Sequence, residues 1–250
     1  MTAGTVAQVR LIRAADRFHW HNEWLESWQS FPATGNFDLA ANAHGMLLVH
    51  NDDRVDAGEG LDTHQHQDIE IITWVVDGAL RHRDSRGHEG VLHPGVAQRM
   101  TAGTGIRHSE GNASSRRDGD PLRVVQMWVP PEHAGLEPGY AEADFTDGLR
   151  DGQLVVVASG RREHADSSAI SIANPFVALY AARPRCDGRL TLPAAQFGHL
   201  FIVGGSVDVD GVGALDAGDA LRLTDHGPLD LTATDDAEIL YWEMHGGVRG

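Results

Sequence analysis

The chain contains no lysine: apart from histidine, its 20 basic side chains are all arginines. This excludes Schiff-base lysine chemistry, a pyridoxal phosphate anchor, a P-loop lysine and a Ser-Lys dyad. Cysteine is nearly absent. One residue, Cys186, rules out disulfides within the chain, Cys-rich zinc ribbons and ordinary cysteine-ligated iron–sulfur clusters. Nothing orders a Cys-His pair around it, so it reads as a small buried residue rather than a nucleophile. No apolar run reaches the ~18 residues of a transmembrane helix. The N-terminal region lacks the basic and apolar segments of a signal peptide, and a cytoplasmic location is the expectation from that absence. Low-complexity tracts and short-period repeats are missing too.

What is present is acidic and rich in histidine. The 250 residues carry 36 Asp and Glu against those 20 arginines, with 15 histidines, for a net charge of −16. Such a balance argues against direct nucleic-acid contact, which needs a basic face, and disfavours anionic membranes. A hydrophobic fraction of 41% supplies a real core and is too high for a disordered chain. At ~100–200 residues per domain, the length fits one large domain or two small ones.

Short apolar runs punctuated by 29 Gly and 10 Pro give an all-β reading. Strands are expected at Gly45–His50, Ile69–Val76, Val124–Pro130, Gln153–Ala158, Phe176–Ala182, His199–Val203 and Ile239–Trp242. Turns are expected at Asp77-Gly78 and Arg86-Gly87. The state of the aromatic stretch Asp16–Ser30 is left open. The loop-like segment Glu132–Tyr140 suggests a boundary, giving units 1–135 and 136–250. The patterns Val76-Asp77-Gly78-Ala79-Leu80 and Gly204-Gly205-Ser206-Val207-Asp208-Val209 look like the same piece of a small barrel, which suggests a duplication.

The chemistry concentrates in Thr63-His64-Gln65-His66 and Arg107-His108-Ser109-Glu110. Side chains alternate along a strand, so His64 and His66 share a face, as do His108 and Glu110. Three imidazoles and one carboxylate suit a first-row divalent metal with open positions. If the first strand runs on without a bulge, Glu70, Ile72 and Trp74 join that face. Glu70 would then orient a ligand imidazole, and Trp74 and Met100 are candidates for an apolar pocket beside it. His82 and Asp84 also stand two apart, with a structural hydrogen-bonding role expected. His19 and His21 are candidates to approach from the N-terminal segment. His44, His50, His88 and His93 are expected on loops or the surface. His199, His226 and His245 build no second His-x-His with a later His-x-Glu.

Here the chain resembles known families. His64-Gln65-His66, Glu70 and Gly78 resemble the first cupin motif, and Pro94-Gly95 with His108–Asn112 the second. More narrowly, Trp24–Trp28, Asn51–Val55, Glu70–Thr73, His82–Ser85, Gln98–Ile106 and His108–Glu110 are similar to the pirin family. The resemblance covers roughly residues 16–140. It implies two tandem cupin barrels (a bicupin). The N-terminal barrel would bind a metal through His64, His66, His108 and Glu110; the C-terminal barrel would have no metal site. Iron is the metal implied, with manganese, nickel, copper or zinc as alternatives. Gln65 stands where the family usually has proline, and Gly60-Leu61-Asp62 replaces its common Gly-Phe-Gly. Both changes fall at the entrance and bear on the substrate.

Family members suggest two activities: a quercetin 2,3-dioxygenase in bacteria and an iron-dependent nuclear co-regulator in animals. The leading expectation is therefore a dioxygenase acting on a flavonol-like substrate and O2, with Glu110 as general base. The alternatives are a redox-sensing protein acting through a protein partner and a structural bicupin.

Overall fold

The structure is a computed structural model and describes residues 8–36, 38–167 and 169–248. Two β-barrels stand side by side, each made of a seven-stranded and a four-stranded sheet. In the first barrel the larger sheet runs Gly139–Asp144, Val96–Thr101, Glu70–Asp77, Leu122–Val129, Val49–Val55, Leu25–Gln29 and Phe18–His21. Its smaller sheet runs Gly60–His66, Ile106–Asn112, Leu80–Asp84 and Glu89–Leu92. The open stretch Asp16–Ser30 thus forms two antiparallel strands.

The second barrel repeats this order. Its larger sheet runs Gln8–Ile12, Ala220–His226, Ala195–Gly204, Glu238–Met244, Val177–Ala182, Val155–Ser159 and Ile170–Ser171. Its smaller sheet runs Arg189–Leu192, Leu229–Ala233, Ser206–Val209 and Gly213–Asp216. The edge strands cross over between the halves. Gln8–Ile12 closes the second barrel by pairing with Ala220–His226, while Gly139–Asp144 closes the first by pairing with Val96–Thr101. A single cut at 135/136 therefore has one strand on either side that belongs to the opposite barrel.

The alternation of side chains decides where each face goes. In Leu80–Asp84, Leu80, His82 and Asp84 are buried and Arg81 and Arg83 exposed. Glu70–Asp77 and Leu122–Val129 are buried on both faces or nearly so, because one face lines a barrel and the other packs on the neighbouring barrel. Ile72, Trp74, Val125, Met127 and Val129 meet Val177, Leu179, Leu240, Trp242 and Met244 there, forming the largest apolar cluster. Removing a ring such as Trp242 from it costs about 3–5 kcal/mol.

The two barrel interiors differ. The second is filled by one continuous apolar cluster that includes Leu192, Val209, Leu229 and Leu231. The first holds two separate clusters, one around Val75, Leu80 and Val124 and one around Ile71, Met100 and Ile106. The polar side chains Thr73, Gln98 and Gln126 fall between them along their strands.

Several sequence expectations change. Gly45–His50 is mostly loop, and the strand begins at Val49. His50 is not on the surface: it is fully buried between the barrels, against His199 and Phe201. Cys186 is exposed rather than buried. No helix among the described residues is long and apolar enough to cross a membrane.

Candidate metal centre

The strand Ile106–Asn112 is the axis of the site. It lies between Gly60–His66 and Leu80–Asp84, and its inward residues include His108 and Glu110. In register, His108 faces His64 on one side and Asp84 on the other, while Glu110 faces His82. The chains approach closely where Gly60 meets Gly111. A Cβ on Gly60 would lie 2.4 Å from the Gly111 Cα, so neither strand could carry a side chain there without moving. Beside it, a bulge between His108 and Glu110 offsets the pairing with Gly60–His66.

Three of the four expected ligands converge. The ring centroids of His64 and His108 are 4.4 Å apart, of His64 and His66 4.9 Å, and of His66 and His108 5.1 Å. Their ligand atoms all lie within 4.8 Å of one another. His64 Nδ1 is 2.8 Å from the Asp62 carbonyl. That bond fixes the ring and leaves Nε2 free, as in metal-bound histidines. His66 sets its ring edge-on to Trp128 at 4.9 Å. His108 is buried, and both its nitrogens lack a hydrogen-bond partner. Burial lowers His66 and His108 to about 4, with neighbouring imidazoles adding to the effect and Glu110 opposing it. Both are therefore neutral at pH 7 with lone pairs available, the form a metal requires.

Glu110, the fourth expected ligand, is next to this trio without being in it. It groups with His108 and His82. Its Oε1 accepts from Gln98 Nε2 at 2.5 Å and its Oε2 from Gln126 Nε2 at 2.7 Å. Burial pushes its pKa up, but His82, His108 and Gln126 outweigh that and hold it at about 2. Gln98 also accepts from the Tyr140 hydroxyl at 3.1 Å. On the barrel side of Glu110, Asp53 is pushed up to about 7, chiefly by burial. Asp53, Thr73, Glu110 and Gln126 share the lining of one small cavity.

Glu70 is a correction. The strand does not run on from His66: it breaks before Glu70, with Asp68 in the left-handed region at φ 49°. Glu70 begins a strand of the other sheet and points out of the barrel. It accepts from Thr101 Oγ1 and from the Ala173 backbone N–H, both at 2.6 Å, and so ties the two barrels together instead of orienting a ligand. Ile72 and Trp74 follow it outward, and Trp74 Nε1 donates to Glu238 at 2.7 Å. Met100 does face the barrel interior, with Ile71, Ile106 and Trp128. His19 and His21 stack with each other and His19 with Trp28 on an exposed edge strand, away from the trio.

Gln98, Gln126, Trp128 and Tyr140 lie at or next to the site but outside its His-x-His and His-x-Glu motifs. The available signal was a polar residue in the middle of an apolar strand, as in Val124-Val125-Gln126-Met127, since buried polar groups need partners. In the second barrel the pairing places Leu231 opposite both Val209 and Leu190, and Leu229 opposite Leu192. Leu231, Val209, Leu229 and Leu192 are the counterparts of the strand positions that carry Glu110, His82, His108 and His64.

Two family models cover most of the chain: pirin matches residues 9–129, and the quercetinase C-terminal cupin domain matches residues 156–244. The chain belongs to the pirin family. A Mycobacterium tuberculosis relative, named provisionally as a quercetin 2,3-dioxygenase, is 44% identical over 96% of each chain. The Escherichia coli quercetin 2,3-dioxygenase is 33% identical over 94% of this chain and 98% of its own. Among solved structures, the E. coli bacterial pirin YhhW in complex with nickel(II) has a TM-score of 0.84 at 32% identity. That match covers 96% of this chain and all of the other. The two-barrel architecture of this pirin is thus that of the bicupins.

Proposed function

We propose that this pirin is a metal-dependent quercetin 2,3-dioxygenase-type enzyme. It would open a flavonol ring with O2 and release carbon monoxide and a depside. The observation that carries the reading is the convergence of three imidazoles beside a buried carboxylate in the first barrel. The names of its relatives support the same chemistry. His64, His66 and His108 would hold the ion, with Glu110 as fourth ligand. The donor set of nitrogen and carboxylate oxygen fits iron, nickel, manganese, copper or zinc. When bound, the metal supplies Lewis acidity toward the flavonol 3-hydroxyl and redox chemistry toward dioxygen.

The chain's own residues do the rest. Glu110 takes the proton of the 3-hydroxyl as general base. At about 2 it is a weak base, so the transfer needs an acidified hydroxyl. Gln98 and Gln126 keep its two oxygens in place through the exchange. Trp128, beside His66, and Met100 give the pocket an apolar wall that suits a planar aromatic ring. Gln65, between His64 and His66, is exposed on the outer face of their strand. We place the metal set in the unit 1–135. The leucines at the equivalent positions support a unit 136–250 without one.

The test is quercetin consumption in air by protein reconstituted separately with iron, manganese, nickel and copper, with His66→Ala as control. Loss of the flavonol spectrum with carbon monoxide release, absent in the variant, is the expected result. A fully metallated protein that leaves quercetin and related flavonols intact with every metal would overturn the proposal.

A further inference from the structure

We propose that His82, His108 and Glu110 form a second position for a first-row divalent ion. It lies deeper in the barrel than the set His64, His66 and His108, and shares with it His108 and the proposed fourth ligand Glu110. The ligand atoms of the three residues lie within 4.8 Å of one another, and all three side chains are buried. His64 and His66, by contrast, are half-exposed.

Three observations point to an ion. First, both nitrogens of His82 and both of His108 are buried without a hydrogen-bond partner. A buried unpaired polar group is costly, and here four such atoms sit on adjacent rings with centroids 5.5 Å apart. Second, the buried His82 ring lies between two carboxylates without a hydrogen bond to either. Its Nε2 lies 3.6 Å from Asp84 Oδ2, and its Nδ1 lies 3.6 Å from Glu110 Oε1. Both distances are too long for hydrogen bonds. Asp84 thus lies on the Nε2 side of the ring without a hydrogen bond to it, and Nδ1 on the opposite side faces Glu110. Third, the parts are held. Asp84 accepts from the backbone N–H groups of Arg86 and His88 and pairs with the His88 ring at 2.9 Å. Tyr140 stacks on His82 with centroids 5.0 Å apart.

Two imidazoles and one carboxylate make a donor set suited to iron, nickel, zinc or manganese. Because His108 and Glu110 belong to both sets, one ion with two alternative positions is the simplest occupancy. The proposal does not depend on turnover and stands or falls separately from the dioxygenase reading.

The experiment is nickel(II) titration calorimetry on a His64→Ala/His66→Ala variant, with its folding checked by circular dichroism. The expected result is one nickel per chain bound about 10–100-fold more weakly than in the unaltered protein. Adding His82→Leu should abolish that binding. Crystals of the double variant in nickel(II) should show anomalous density at bonding distance from His82 and Glu110. A folded double variant that binds no nickel overturns the proposal, and so does binding that persists without His82. If the double variant does not fold, His64→Ala replaces it. The anomalous density must then lie against His82, and density only at the remaining outer histidine overturns the proposal.

Discussion

Gln126 Nε2 donates to Glu110 Oε2 at 2.7 Å across the interior of the first barrel, from one sheet to the other. With Gln98 on Oε1, it holds the carboxylate on both oxygens. A Gln126→Leu variant removes one donor from a buried charge and keeps much of the volume. Loss of an outer partner of this kind typically costs about 10–100-fold in metal affinity or activity. We expect a drop in that range in nickel affinity by calorimetry and in flavonol turnover, with the fold retained. Unchanged nickel affinity would show that Glu110 is set without Gln126.

Metal removal should lower stability. An ion bound by the native protein but not by the unfolded chain stabilises by about 2.7 kcal/mol at a hundredfold excess over Kd. We expect chelation to lower the melting temperature and added metal to restore it. In His66→Ala the increment should shrink, because a ligand from the convergent trio is gone. An equal thermal shift in the variant and the unaltered protein would place the stabilising ion elsewhere.

Glu70 makes a different prediction from that of a ligand-orienting residue. In Glu70→Leu the Ala173 N–H and the Thr101 hydroxyl lose their acceptor at the contact between the barrels. Each group left unsatisfied costs about 1–3 kcal/mol. Urea denaturation should report that loss while nickel binding by the folded variant stays unchanged. Loss of nickel affinity would return Glu70 to the metal site.

The buried histidine pair between the barrels should make the protein acid-sensitive. His50 and His199 are fully buried with ring centroids 4.7 Å apart, and burial, the largest cause, holds both well below the usual 6.5. Arg17 and Arg222 push the same way. Below pH 6.5 the unfolded chain takes up protons that the folded pair refuses. The stability contribution is thus complete above about 6.5 and is lost as pH falls. The slope is at most about 1.4 kcal/mol per pH unit for each histidine. Urea midpoints at pH 7.5, 6.5 and 5.5, in one metal state, measure it. His199→Phe, next to Phe31, should reduce the slope by up to one proton; an unaltered slope would assign the acid sensitivity to other groups.

The sequence by itself determined what depends on local repeat and residue type. His64 and His66 share a face because strand side chains alternate, and the same rule pairs His108 with Glu110. The lack of lysine and the single cysteine narrowed the chemistry before any fold was known. Tertiary structure decided whatever depends on how the sheets close. The left-handed residue Asp68 ends one strand and sends Glu70 to the opposite sheet and the outward face, which alternation carried past the break could not foresee. Gln98, Gln126 and Tyr140 reach Glu110 or its partner from the facing sheet, a distance in sequence that no local pattern encodes. The exchange of Gln8–Ile12 and Gly139–Asp144 is likewise invisible in the chain. An edge strand's partner is chosen by the free backbone groups of the sheet it meets, and those exist only once the barrels have formed.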